Sequence, residues 1–374
     1  MTSSSDSAEF ASRSRALSPA LTVATSWLLV ASSRPSCLNT RVSKRLIPPL
    51  SPELHKGQAG RVGVIGGSKD YAGAPYFASM TALRMGADLS HVICEPAAGN
   101  VIKTYSPDLI VHTDLGPDVE EDEITEILQG ILPRLHTLVI GPGLGRSKHM
   151  QLAARVAIRL ARENNVYIVI DADGLFLVQT DPSVVQGYKR AILTPNVVEF
   201  GRLVEACKLD KNSNPDELAA KLSTALGGPT IVQKGAQDRI TNGTKTLLSA
   251  TTGSSRRCGG QGDVLSGAVG TFLAWGKNYE ERTDTDSTSG DKLEPQDITL
   301  YAAYGASTLT RTASRLCFAD YKRAMQTGEM LGYVGKAFEE VFGADAVTDQ
   351  QDQSDVSVLA QIEGVVQGIK KSIL

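Results

Sequence analysis

Three glycines and a carboxylate stand together at Gly259-Gly260-Gln261-Gly262-Asp263, just ahead of an apolar stretch that reads as a helix over 263–275. Such a turn leaves backbone N–H groups free to converge on an anion, and the helix dipole adds partial positive charge there. A carboxylate in the first turn shares that field, so Asp263 is expected to stay ionised at neutral pH. Beside a bound phosphate it could accept the proton of a hydroxyl while the amides steady a transferring phosphoryl group. The same residues also suit a plain glycine turn with Asp263 as helix cap. The neighbours favour chemistry. Lys234-Gly235-Ala236-Gln237-Asp238 and the pair Arg256-Arg257 supply the positive charge that a nucleoside triphosphate requires. No G-x-x-x-x-G-K-[ST] occurs, which excludes a P-loop enzyme.

Other candidates carry two readings each. Asn196-Val197-Val198-Glu199 follows Pro195 with capping-box spacing and could either start a helix or recognise a ligand. Asp171 and Asp173 could help hold Mg²⁺ or cap the next helix. Gly63-Val64-Ile65-Gly66-Gly67-Ser68-Lys69 lacks the G-x-G-x-x-G of a dinucleotide fold, which argues against a nicotinamide dehydrogenase. The cysteines (Cys37, Cys94, Cys207, Cys258, Cys317) form no C-x-x-C pair, so neither a disulfide framework nor a zinc site is expected, and the compartment is reducing. Cys258 has no histidine paired with it in sequence and reads as a small space-filler.

The elements that must position these residues alternate. Short β-branched runs at 61–66, 90–94, 137–140, 167–170, 191–194 and 230–233 read as strands. Helical spacing is expected over 78–87, through Leu152, Val156 and Leu160, over 301–316 and over 356–369. Asn242-Gly243 marks a late hairpin. The expected fold is therefore α/β, a three-layer αβα sandwich on a mainly parallel sheet with an antiparallel edge. Ligands in such sheets bind beyond the carboxyl ends of the strands, where the glycine loops and carboxylates above collect. One domain is expected over 46–374, with a polar surface insertion at 279–297.

Composition narrows the function classes. The 374 residues carry 38 Lys+Arg against 41 Asp+Glu, and the net charge of −3 argues against nucleic-acid coating or a polybasic membrane anchor. Residues 1–45 read as a disordered or targeting extension, and the apolar run at 20–31 is too short to span a bilayer. The basic, serine-rich character of this segment suits a transit peptide, which makes a mitochondrial location the alternative to the cytoplasm; Asp6 and Glu9 argue against it.

Taken in order, the motifs resemble the ATP-dependent NAD(P)H-hydrate dehydratases, in a eukaryotic, fungal-type form. The resemblance rests on His55-Lys56-Gly57, Gly60 to Ser68 (GRVGVIGGS), Tyr71 to Phe77 (YAGAPYF), Tyr105 to Asp108 (YSPD), Gly141 to Arg146 (GPGLGR), Asp171 to Gly174 (DADG), Thr194 to Phe200 (TPNVVEF), Lys234-Gly235 and Arg256 to Asp263 (RRCGGQGD). It implies a ribokinase-like fold and the repair of (6S)-NADHX and (6S)-NADPHX to NADH and NADPH, using ATP and Mg²⁺. Lys234, Gly235, Ala236, Gln237 and Asp238 would then surround ATP, together with Gly253, Ser254, Ser255, Arg256, Arg257, Cys258, Gly259, Gly260, Gln261 and Gly262. Gly143 and Asn196, Val197, Val198, Glu199, Phe200, Gly201 and Arg202 would hold the hydrate, and Asp263 would meet its reacting hydroxyl. The motifs assign no metal ligand. The partners implied are these small molecules, with a homo-oligomer contact conceivable near 279–297. Two rivals share the glycine turn: a ribokinase-like kinase of a vitamin alcohol of the hydroxyethylthiazole or pyridoxal type, and a nucleotide-binding protein without turnover.

Overall fold

The computed structural model describes residues 35–50, 52, 55–282 and 292–343. Nine strands form one sheet: β1 (Arg61–Ile65), β2 (Leu89–Ile93), β3 (Ile110–His112), β4 (Thr137–Ile140), β5 (Tyr167–Ile170), β6 (Ala191–Leu193), β7 (Thr230–Gln233), β8 (Asp238–Thr241) and β9 (Thr246–Ser249). Their order is β3-β2-β1-β4-β5-β6-β7-β8-β9. Every pair from β3 to β7 is parallel, and the β7–β8 and β8–β9 pairs are antiparallel. The order reverses between β1 and β4, so two crossovers diverge there and leave a crevice at the carboxyl edge.

Helices are α1 (Pro35–Lys44), α2 (Gly73–Met85), α3 (Pro96–Tyr105), α4 (Glu121–Ile131), α5 (Lys148–Glu163), α6 (Asp173–Thr180), α7 (Val197–Ala206), α8 (Pro215–Ala225), α9 (Gln261–Glu281), α10 (Pro295–Tyr321), α11 (Thr327–Leu331) and α12 (Val334–Phe342). Strand alternation decides which layer each side chain joins. Val64, Val92, Val139, Val169, Ile192 and Val232 face α2, α9 and α10. Ile65, Ile93, Ile140, Ile170, Leu193 and Ile231 face the opposite layer, built from α4 to α8. Both faces are covered, which is why the parallel strands read as nearly continuous apolar runs. Among the described residues no helix is long and apolar enough to cross a membrane.

Several expectations shift. The helix expected over 78–87 begins at Gly73, and the one expected over 301–316 is the middle of the 27-residue α10. The segment 279–297 is not wholly an insertion, since α9 runs to Glu281 and α10 starts at Pro295. Residues 35–44, assigned to the amino-terminal extension, form α1, which packs on α10. Ser43 donates to the Tyr301 carbonyl at 2.7 Å and Leu46 is fully buried, so this stretch belongs to the core. The apolar run at 20–31 and the helix expected over 356–369 lie outside the described residues.

Candidate active site

The carboxyl ends of β4, β5, β6 and β7 are tied together beyond the strands themselves. Asp171 N–H donates to the Ile140 carbonyl at 3.0 Å, Thr194 N–H to that of Ile170 at 3.1 Å, and Lys234 N–H to that of Pro195 at 3.0 Å. The sheet ladder thus continues into the loops and fixes their direction. Gly141 makes the closest approach: its φ is +125°, and a Cβ there would lie 1.8 Å from the Asp171 carbonyl oxygen. No side chain fits, so glycine at this point is what lets the β4 and β5 loops touch.

Three ionisable groups meet at this edge. Asp171 is 2% exposed, and its Oδ1 accepts from Thr194 Oγ1 at 2.8 Å and from Lys234 Nζ at 3.0 Å. Burial works against the Lys234 ammonium, but Asp171, Glu199 and Asp263 outweigh it and hold its pKa above the ordinary value. Gly262 lies over this pair, 3.6 Å from Lys234 Nζ and 3.9 Å from Asp171 Oδ2 as measured from where a Cβ would stand. The next residue is Asp263. Burial, followed by repulsion from Asp171 and partly offset by Lys234, pushes its carboxyl up to about 7. The expectation of a fully ionised Asp263 at neutral pH is therefore corrected: desolvation beside a second carboxylate overrides the helix field, and the group titrates near neutrality.

Asp263 is not the helix cap either. The N-cap is Gly260, at φ +96°, and Asp263 sits in the first turn with no hydrogen bond to its carboxylate among the described residues. A Cβ at Gly260 would lie 2.8 Å from Thr327 Oγ1 and 2.9 Å from Phe77 Cδ2. Thr327 donates to the Gly259 carbonyl at 2.6 Å, which pins the glycine turn to α11. Gln261 Nε2 donates to the Arg256 carbonyl at 3.2 Å, and Cys258 Sγ packs 3.6 Å from Thr327 Oγ1, a space-filling position.

Asn196 makes both halves of a capping box. Its Oδ1 accepts from the Val198 and Glu199 N–H groups, and Glu199 Oε2 accepts from Asn196 N–H at 2.8 Å. The cap leaves Val197 and Val198 standing out at 71% and 61% exposure, whereas Phe200 is buried in the core beneath α7. Burial also raises the Glu199 pKa, against the pull of nearby Lys234. Asp173 does not cap the helix it opens, whose N-cap is Ala172 with no side-chain hydrogen bond. It accepts from Gly145 N–H at 3.0 Å and Arg146 Nε at 3.3 Å, which ties the Gly141–Arg146 loop to α6. Gly143 is held from the other side, its carbonyl accepting from Gly67 N–H at 3.0 Å and Ser68 Oγ at 3.1 Å.

Residues 62–334 match the family described as NAD(P)H-hydrate dehydratase. The chain belongs to this family. Similar members of it include ATP-dependent (S)-NAD(P)H-hydrate dehydratases of Mycosarcoma maydis (51% identical over 305 residues, 80% of this chain and 87% of that one) and Schizosaccharomyces pombe (47% over 312 residues, 80% and 92%). Among solved structures, a ribokinase-like superfamily protein of Enterococcus faecalis superposes with a TM-score of 0.61 at 20% identity, covering 81% of this chain and 94% of that one. The Bacillus subtilis ADP/ATP-dependent NAD(P)H-hydrate dehydratase co-crystallised with ATP/Mg²⁺ gives 0.56 at 20%, covering 81% and 97%. The dehydratase fold here is thus ribokinase-like.

Within this dehydratase frame, the sequence-assigned residues fall into two groups. Gly143, Asn196 and Lys234, on loops, and Glu199, Gly262 and Asp263, in the first turns of α7 and α9, are carried to the carboxyl ends of the strands. Gly253 to Arg257 lie on the connection between β9 and α9, where Ser254 Oγ bridges the Arg256 carbonyl at 2.9 Å and Ser314 Oγ at 2.7 Å. Asp238 is buried and its carboxylate is taken up by Ser307 and Arg311, both on α10. Sequence reasoning had Thr194 in a motif but not its bond to Asp171, and it missed Thr327 and Arg311. The only signal for Arg311 was a long cation among the small residues of its helix, a signal that Arg315 one turn later shares; Thr327 gave none.

Proposed function

We propose that this site dehydrates (6S)-NADHX and (6S)-NADPHX at the expense of ATP, returning NADH or NADPH with ADP and phosphate. The carrying observation is Asp263: a carboxyl titrating near 7, at the head of α9, immediately after the glycine turn and within the field of Lys234 and Asp171. A base poised near the working pH is half ionised and still strong enough to take a proton. In this reading Lys234 to Asp238 and Gly253 to Gly262 surround the triphosphate, and Gly143 with 196–202 receive the hydrate.

The chemistry follows from the substrate. Water added across a dihydronicotinamide double bond leaves a hydroxyl on ring carbon 6, and hydroxide is a poor leaving group. Asp263 takes the hydroxyl proton, and the oxygen attacks the terminal phosphorus of ATP, releasing ADP. The glycine-turn amides offset the charge that develops on the moving phosphoryl oxygens. The ring-nitrogen lone pair then expels phosphate, and loss of a proton from carbon 5 restores the double bond. Mg²⁺ has no dedicated protein cage: among the described residues no cluster of three metal-binding side chains exists, and Asp171 is engaged by Lys234 and Thr194. The ion suits a role as counter-ion to the triphosphate, held chiefly by phosphate oxygens and water. The cytosol is the compartment this reading favours, on the cysteines' wide spread in the sequence without a C-x-x-C pair.

Incubation with ATP and synthetic hydrate tests the reading. Recovery of dihydronicotinamide absorbance with equimolar release of phosphate supports it. Phosphate retained on the organic product would mean a kinase, and tight ATP binding without turnover would mean a binder.

A further inference from the structure

Arg311 lies on α10, a helix that supplies none of the motif residues, yet its guanidinium places four of its bonds on the 235–238 segment assigned to ATP and the fifth on Thr251, two residues before the other assigned segment. Nε donates to Asp238 Oδ2 at 2.9 Å, and Nη2 to Asp238 Oδ1 at 2.6 Å and the Gly235 carbonyl at 2.8 Å. Nη1 donates to the Ala236 carbonyl at 2.8 Å and the Thr251 carbonyl at 3.3 Å. Asp238 completes the unit by accepting from Gly235 N–H at 3.0 Å and Ser307 Oγ at 2.7 Å. The Arg311 side chain is 14% exposed and that of Asp238 8%, so the cation is neutralised and enclosed. It has no donor left for a phosphate.

The consequence lies on the other side of the peptides. Across a trans peptide the N–H points opposite the C=O. Turning the carbonyls of Gly235, Ala236 and Thr251 toward Arg311 therefore turns the N–H groups of Ala236, Gln237 and Thr252 away from it. These three residues are exposed, and their N–H groups have no acceptor among the described residues. Successive backbone amides left free in this way are the donors from which anion-binding concavities are built. We propose that Arg311 is a positioning residue for the triphosphate: by holding 235–238 against the start of the β9–α9 connection, it presents these backbone donors to the nucleotide. This rests on the reading of the site as ATP-dependent.

The test uses the full chain with Arg311→Lys, which keeps the charge but offers three donors without the planar fork. With charge-assisted bonds to carbonyls and carboxylate lost, KM and Kd for ATP are expected to rise about ten- to hundredfold, while KM for the hydrate stays within about twofold. ATP should slow hydrogen exchange at the Ala236, Gln237 and Thr252 amides in the wild type and fail to do so in the variant. Arg315→Gln, one turn further along α10 and paired, among the described residues, with Glu340 at the surface, is the control and should leave ATP binding unchanged. Unchanged ATP constants in Arg311→Lys, or losses that merely track the folded fraction, would overturn the proposal. A wild type that binds no ATP would instead overturn the functional reading beneath it.

Discussion

Lys234 Nζ stands 3.0 Å from Asp171 Oδ1, with the lysine side chain 21% exposed and the aspartate 3%. One residue closes β7 and the other closes β5, with β6 between them, so the pair spans three strand ends and sets the floor on which Gly262 and Asp263 rest.

Removing one partner of that pair leaves a buried charge uncompensated. Lys234→Met is expected to lower the unfolding free energy by about 3 kcal/mol, within the range for broken buried ion pairs. The double variant Lys234→Met/Asp171→Leu should recover most of it without recovering activity. Urea unfolding at pH 7 measures both.

Asp263 makes activity pH-dependent in a stated direction. A base must be ionised, so kcat/KM should rise with pH through about 7 and level off above it. Stability runs the other way. The folded pKa of about 7 exceeds the ordinary 3.8, so the native state holds more protons between those values and stability falls as pH rises across that window. Asp263→Asn should be more stable than wild type at pH 8, with the difference shrinking toward pH 5. Denaturant midpoints at the two pH values check the sign.

Gly141→Ala tests the contact between the β4 and β5 loops. The strained φ alone costs about 1–3 kcal/mol, and relief of the overlap with the Asp171 carbonyl must move the loop that carries the ion pair. A lowered melting temperature together with a reduced kcat is expected, read by calorimetry and the repair assay.

Asn196 separates capping from recognition. Asn196→Ala should cost about 1 kcal/mol through loss of the cap, and Asn196→Ser should restore it. If the segment also receives the hydrate, KM for the hydrate rises in both variants. Paired stability and KM measurements distinguish the two roles.

The parallel sheet was legible because strands buried on both faces are forced to be apolar, as 137–140 and 167–170 show. The hairpin was legible because Asn242-Gly243 has few other uses, and Asn242 Oδ1 indeed accepts from the Thr244 and Lys245 N–H groups. Helix α1 was not, since its sequence PSCLNTRVSK has no broad apolar face and is held by tertiary contacts such as Ser43 to Tyr301. Helices α3, α4 and α8 went unread although two begin with proline and α4 opens with three acidic residues. At the site, motif spacing located Asp263 and Lys234 but not the Asp171–Lys234 pair or the raised pKa of Asp263. Those depend on distances between separate strand ends, which no linear spacing encodes.

The most direct measurement follows dihydronicotinamide absorbance and phosphate release when (6S)-NADHX and ATP are mixed with wild type and with Asp263→Asn at pH 7.5. The account predicts turnover with one phosphate per NADH for the wild type and a loss of about 10²- to 10⁴-fold for the variant. Undiminished turnover by Asp263→Asn would contradict it.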